Sequence, residues 1–236
     1  MRLNIRRRAK RRLPERSKLQ LGIPTSPNQM WSLDFMSDSF TDSRKFRLLN
    51  VIDDFNRESL AIEADTSLPS LRVIRVLDRL IASKGKPANI RCDNGPEFIS
   101  HRLQQWCESN QITLQYIQPG EPTQNAYIER NNGSLRRELL DAYMFTSLRE
   151  VKEMIRVWQN DYNESRPHKS LGYLSPNQYR QQWLNKDSML NPCTTALSTS
   201  PSGGFKTSQA TAIVDKIFEK TNDQLIQAPL FLNTTN

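Results

Sequence analysis

The strongest constraint on the fold is the order in which two hydrophobic periods follow one another between Gln29 and Trp183. Trp31, Leu33 and Phe35 alternate with Ser32 and Asp34, the period of two that lays one face of a strand on a core and leaves Asp34 on the other. Residues 46–53 read as a second strand, Asp53-Asp54-Phe55-Asn56-Arg57 as a turn, and Ser59 to Ala64 as a third strand. Short connections between these strands predict an antiparallel meander. The period then changes: Leu71, Ile74, Leu77, Leu80 and Ile81 recur at helical spacing until Gly85-Lys86-Pro87 stops them. A short strand from Asn89 to Cys92 runs into the turn Asp93-Asn94-Gly95-Pro96, a helix carries Leu103, Trp106 and Cys107, and another strand spans Leu114 to Ile117. After Pro119-Gly120-Glu121-Pro122, helical spacing covers Ile128, Leu135, Leu139 and Tyr143, and a last helix runs from Leu148 through Val151 and Ile155 to Trp158. Three antiparallel strands followed by two that return through helices predict an α/β fold whose mixed five-stranded sheet is flanked by helices.

Charge separates the ends from this middle. The chain of 236 residues carries a net charge of +8, and the first 18 residues, with nine basic side chains against Glu15, account for all of it. A block of like charge is a solvated arm, and a basic one commonly meets nucleic acid. Residues 1–28, ending in the Gly22, Pro24, Ser26 and Pro27 punctuation, therefore read as arm and linker, and 29–184 as the folded core. Residues 185–236 form a Ser/Thr-rich tail expected to be largely disordered, with ten Ser or Thr between 188 and 211 and a weak helical pattern at Ala212, Ile213, Ile217 and Phe218. No run approaches the roughly 18 apolar residues of a membrane helix, and the basic N-terminus leads into no apolar signal region, so a cytosolic protein is expected. Cys92, Cys107 and Cys193 form no CxxC pair and the only histidines are His101 and His168, which argues against structural zinc and against a disulfide framework.

Three carboxylates sit where phosphodiester chemistry would want them. Asp34 leaves the first strand, Asp93 ends the fourth, and Glu129 lies in the first turns of the helix after Pro122. Hard oxygen ligands converging from separate rigid elements can hold two Mg²⁺ ions about 3.5–4 Å apart, one activating the attacking oxygen and the other stabilising the leaving oxygen. Each residue alone has a plainer explanation: an Asp before Asn-Gly is turn chemistry, and a Glu in a first helical turn complements the macrodipole. Asp53 and Asp54 read as a hairpin-turn pair capped by Arg57, and with Glu97 they are left outside the site. Gly133 and Arg136 lie four and seven positions beyond Glu129, on its helix face; the glycine would let a DNA backbone approach and the arginine would meet a phosphate or pair with Glu129 or Glu138. Gln124 and Asn125 can cap the helix or touch DNA. The Arg166-Pro167-His168-Lys169 segment contacts DNA or packs the last helix.

The stretches WSLDF, IRCDNGPEF, PTQNAYIERNNGSLRREL and DYNESRPHKSLGYLSP resemble the catalytic core of retroviral-integrase-like insertion-sequence transposases, specifically the second-frame product of the family named for insertion sequence three. Thirty-five residues separate Asp93 from Glu129, as in that family's pattern of two aspartates and a glutamate. The resemblance runs from about Leu3 to Trp183. It implies a ribonuclease-H-like fold, an integrase-type core over 29–184, and Asp34, Asp93 and Glu129 as catalytic residues and ligands of two Mg²⁺ ions, with Mn²⁺ as substitute. It further implies DNA strand cleavage and transfer, with DNA contacts expected from Arg6, Arg7, Arg8, Lys10, Arg11, Arg12, Asn125, Arg130 and Arg136. The implied partners are element ends and target DNA in a bacterial, nucleoid-associated cytosol, with a homo-oligomer forming on DNA and no membrane or small-molecule substrate. Relatives carry a helix-turn-helix region upstream of the core, where this sequence has only the arm, so an N-terminally truncated copy is expected. Two alternatives stand beside this reading: a catalytically silent DNA-binding or oligomerisation fragment that interferes with intact transposase, and a ribonuclease-H-like nuclease, which would need Asp53 or Glu97 as a fourth active-site carboxylate.

Overall fold

The computed structural model describes residues 23–118 and 122–190. The basic arm with its six expected DNA contacts, most of the Ser/Thr-rich tail with Cys193 and the weak helical pattern, and the turn at 119–121 lie outside the described residues. Five strands, β1 (Met30–Ser39), β2 (Lys45–Asp53), β3 (Ser59–Asp65), β4 (Asn89–Cys92) and β5 (Thr113–Tyr116), form one sheet in the order β3-β2-β1-β4-β5. The first three pair antiparallel, whereas β4 joins β1, and β5 joins β4, in parallel. The helices are α1 (Ser70–Lys84), α2 (His101–Ser109), α3 (Ala126–Leu135), α4 (Leu148–Glu164) and α5 (Pro176–Leu190). Two crossover connections, carrying α1 and α2, return the chain to parallel strands, as the changes of period require.

The sheet is covered on both sides. Trp31, Leu33, Leu49 and Val51 pack against Val73, Val76, Leu77 and Leu80 of α1 and Leu103 and Cys107 of α2. On the opposite face Phe46, Leu48 and Ala64 meet Leu135, Leu139 and Leu140 together with Val151, Ile155, Trp158 and Tyr162 of α4. Burying each of these large apolar side chains contributes roughly 1.5–3 kcal/mol. The face of β1 opposite the Trp31 core is therefore not open to solvent as a half-buried strand would be: Ser32 and, on β2, Asn50 are fully buried there.

Local chemistry sets the helix ends. Gly85, at φ +92°, closes α1 by donating its N–H to Ile81 O at 3.1 Å, a left-handed conformation open to glycine at little cost. The Ser100 hydroxyl accepts from Leu103 N at 3.4 Å to start α2. Ser147 caps α4 through Glu150 N at 3.3 Å, while Glu150 reaches back to Thr146 N at 2.9 Å, a variant of the capping box.

Two features depart from the periodicity. The helical run from Ile128 does not continue to Tyr143 as a regular helix: residues 136–140 form one wider π turn, with Asp141 N donating to Arg136 O at 2.8 Å. The extra residue in that turn lets the consecutive Leu139 and Leu140 both enter the second core. The other is α5, which extends past the expected last helix. The Ser175 hydroxyl accepts from Gln178 N at 3.3 Å and Ser175 N donates to Gln178 Oε1 at 3.0 Å, a reciprocal cap with Pro176 at the first helical position. Tyr179 and Trp183 then pack their rings on Phe55, with centroids 5.3 and 5.9 Å away.

Candidate active site

Asp34 lies inside β1, paired with Asn50 of β2, rather than at the strand's end. Parallel pairing sets Trp31 level with Ile90 and Ser32 level with Arg91. Carried two residues further, that register puts Asp34 beside Asp93, which directly follows β4, on strands about 4.8 Å apart. Glu129 stands in the first turn of α3, and Asn132, one turn on and so on the same helix face, donates from Nδ2 to Asp34 Oδ2 at 2.7 Å. Three elements thus carry the three acids toward one place.

Electrostatics report the same convergence. The Asp34 carboxyl is raised from 3.8 to about 6 by burial, and further by the Asp93 and Glu129 carboxylates, while the Phe35 N–H and the Asn132 amide hold it down. A carboxylate that is desolvated and ringed by like charge is short of a cation. Among the described residues no three His, Cys, Asp or Glu side chains close into a preformed metal cage, but the donor set is the all-oxygen one that Mg²⁺ prefers.

Supporting groups hold the acids in orientation. The Asn132 Oδ1 accepts from the fully buried Asn50 Nδ2 at 2.7 Å, so one side chain ties β1, β2 and α3 together at the site. The Asp93 Oδ1 accepts from Gly95 N at 3.0 Å, and a Cβ on Gly95 would lie 3.0 Å from that same oxygen. Buried Arg91 pairs with buried Asp54 at 3.0 Å and donates to Gln124 O at 3.1 Å, fixing the segment that leads into α3. Asn132, Asn50 and Arg91 were not singled out by the sequence: Asn132 follows Glu129 at helical spacing, whereas the partners of Asn50 and Arg91 are far away along the chain.

The remaining expected residues are placed as follows. Arg136 is on Glu129's helix face, but its guanidinium is engaged with Asp38 at 3.1 Å and Ser37 O at 2.7 Å, not with Glu129 or Glu138. Glu138 instead pairs with Arg166. Asn125 is buried at the start of α3 and makes no side-chain cap, and Gln124 accepts from Gln118 N at 2.9 Å. Arg130 is exposed. The rival carboxylates are occupied: Asp53 accepts from Asn28 N at 2.8 Å and Phe55 N at 2.9 Å, and Glu97 pairs with Arg47. Arg57 serves the turn through its backbone N–H, bonded to Asp53 O at 2.9 Å, while its guanidinium lies over the Tyr127 ring.

A mixed sheet in this order, with helices on both faces and acids at β1, β4 and α3, defines a ribonuclease-H-like integrase core. Residues 24–122 and 110–176 each match a family described as integrase core domain. The chain is 44% identical over 177 residues to an uncharacterized 31.7 kDa protein of insertion element IS407 from Burkholderia multivorans, covering 75% of this chain and 64% of that one. It is 41% identical over 196 residues to a 39.2 kDa protein of insertion element IS476 from Xanthomonas euvesicatoria, covering 81% and 56%. The chain therefore spans less than two thirds of the length of either relative. The catalytic core of HTLV-2 integrase, solved in complex with magnesium in a trimeric form, superposes with a TM-score of 0.53 at 22% identity over 66% of this chain and 98% of that one, a likeness of fold. Residues 24–176 thus carry an integrase core domain, and the chain is related to insertion-element proteins. Among the described residues no helix is long and apolar enough to cross a membrane.

Proposed function

We propose that this chain is the catalytic domain of a transposase, which cleaves a DNA strand at an element end and joins the freed 3′-hydroxyl to a second phosphodiester. The observation that carries the reading is geometric: the β1–β4 register, carried two residues further, runs Asp34 alongside Asp93, and Asn132, one turn from Glu129 on α3, bonds Asp34 at 2.7 Å. Divalent cations of the Mg²⁺ class, held by Asp34, Asp93 and Glu129, would activate the attacking oxygen and stabilise the leaving oxygen when bound. The chain's own part is positioning: Asn132 orients Asp34, the Gly95 N–H orients Asp93, and the Arg136–Asp38 pair pins the turn that follows α3 to β1. Magnesium in the HTLV-2 integrase core and the insertion-element relatives favour this reading over a silent fragment. The occupied side chains of Asp53 and Glu97 weigh against a nuclease with a fourth carboxylate. DNA is the substrate and partner, two ions are bound, copies of the chain assemble on DNA, and the arm residues Arg6, Arg7, Arg8, Lys10, Arg11 and Arg12 add charge for the backbone.

The test is strand transfer from a pre-cleaved DNA end with Mg²⁺ or Mn²⁺. Asp34→Asn, Asp93→Asn and Glu129→Gln keep shape and remove charge, so each should abolish joined product while the protein stays folded, and their effects should not add. Substantial activity in any one of them removes that residue from the site.

A further inference from the structure

The acidic site uses one stripe of α3, and the far side of the same helix faces something else. Tyr127, Arg130 and Ser134 recur at intervals of three and four, roughly 160° around the helix from the stripe of Glu129 and Asn132. They form one wall of a cleft of about 260 Å³, closed by Arg57 of the β2–β3 turn, Tyr162 of α4 and residues 166–170. Arg57, Arg130, Arg166, Lys169 and His168 all line this small volume, and no acidic side chain does. Among the described residues, Arg166 has an acidic partner in Glu138, while Arg57, Arg130 and Lys169 make no ion pair.

Two further observations favour an anionic ligand. The Arg57 Nη1 donor and the His168 Nε2 atom are buried without a hydrogen-bond partner among the described residues, although a buried unpaired polar group is costly. The Arg57 guanidinium is held 3.3 Å from the Tyr127 ring centroid, which orients it; its charge also acts on Asp54, with which it forms no ion pair. Burial, and then the charges of Arg166, Arg57 and Arg130, keep the His168 imidazole below its ordinary range, as expected beside several positive charges.

We propose that this cleft is a phosphate site for a DNA strand, on the side of α3 away from the acidic site and taking a phosphodiester other than the one being cut. The proposal rests on the reading that the chain acts on DNA. Forked guanidinium donors from Arg57 and Arg130 would grip the phosphate oxygens, with Lys169 adding a point charge. Such a contact carries no sequence information and sets the register of the strand against the acids.

The histidines make the test direct, because His168 lines the cleft and the other, His101, opens α2. Imidazole nitrogen NMR on the full chain without metal, titrated with inorganic phosphate and then with a short DNA duplex, should shift His168 saturably and leave His101 unmoved. The Arg130→Gln/Lys169→Gln double variant, at two exposed positions, should weaken phosphate binding at least tenfold and flatten the slope of log K against log salt for DNA by about 1–2 units, with an unchanged circular dichroism spectrum. No response at His168 overturns the site. A phosphate response with an unchanged DNA salt slope in the variant overturns its assignment to DNA, as does displacement of phosphate by an acidic peptide but not by DNA. Strand transfer from a pre-cleaved end is measured separately, so the cleft can fail while the proposed function stands, and the reverse.

Discussion

Metal binding at this site should compete with a proton on Asp34, and Asn132 sets where the competition falls. Asp34 titrates near 6, so below that pH each unit should cost about tenfold in apparent affinity for a cation that needs the carboxylate, and above it the affinity should level off. Asn132→Ala removes the 2.7 Å bond to Asp34 Oδ2. A hydrogen bond to a charged group contributes about 1.5–3 kcal/mol; at about 1.4 kcal/mol per unit, its loss should raise the Asp34 carboxyl, and with it the break in the affinity profile, by roughly one to two units. The sign for stability follows from the same shift. A carboxyl raised in the folded state favours folding when protonated, so that contribution is fully present below 3.8 and is lost as pH rises through about 6. The metal-free protein should therefore gain stability toward pH 5, and Mn²⁺ should raise the melting temperature more at pH 7.5 than at pH 5. Asn132→Ala also strands the buried Asn50 amide, at a cost of about 1–3 kcal/mol, which urea denaturation at constant pH would measure. Mn²⁺ affinity, followed by the paramagnetic signal of the free ion from pH 5 to 8.5, decides the matter: a break at the same pH in both proteins refutes the assigned role of Asn132.

Gly95→Ala should leave stability within about 0.5 kcal/mol yet cut strand transfer at least tenfold, because its Cβ would press 3.0 Å from Asp93 Oδ1; full activity in a steady-state assay would mean that this oxygen has freedom to move. Arg91→Met leaves the fully buried Asp54 unpaired and should destabilise by about 3–5 kcal/mol, most of it recovered in Arg91→Met/Asp54→Leu; additive losses in a denaturant cycle would contradict the coupling. Deleting residues 1–18, with their nine basic side chains, should flatten the DNA salt slope by about 3–6 units and weaken all sequences alike, whereas a selective loss on one duplex would show that the arm reads bases.

The sequence by itself determined the order of elements and singled out three acids on separate elements, which the fold brings to neighbouring positions. Strand and helix periods are local, and turn signals such as Gly85-Lys86-Pro87 and Asp93-Asn94-Gly95-Pro96 act on their immediate neighbours, so β1 to β5 and the crossovers through α1 and α2 could be read from short windows. The Ser175-Pro176-Asn177-Gln178 cap of α5 is equally local, but the helices expected from the sequence end near Trp158, because the apolar pattern behind Ser175 is too thin to announce another. What only the tertiary structure decided depends on register between distant segments. Asn50 and Asn132 are 82 residues apart and Arg91 and Asp54 are 37 apart, and nothing in either neighbourhood specifies the partner. The π turn at 136–140 likewise answers to the packing of Leu139 and Leu140 on the sheet, not to local propensity. The basic cleft draws on a turn, three helical segments and a loop, and its cations share one volume because the chain is folded: a periodic pattern tells a residue which face it occupies, and long-range packing decides what that face meets.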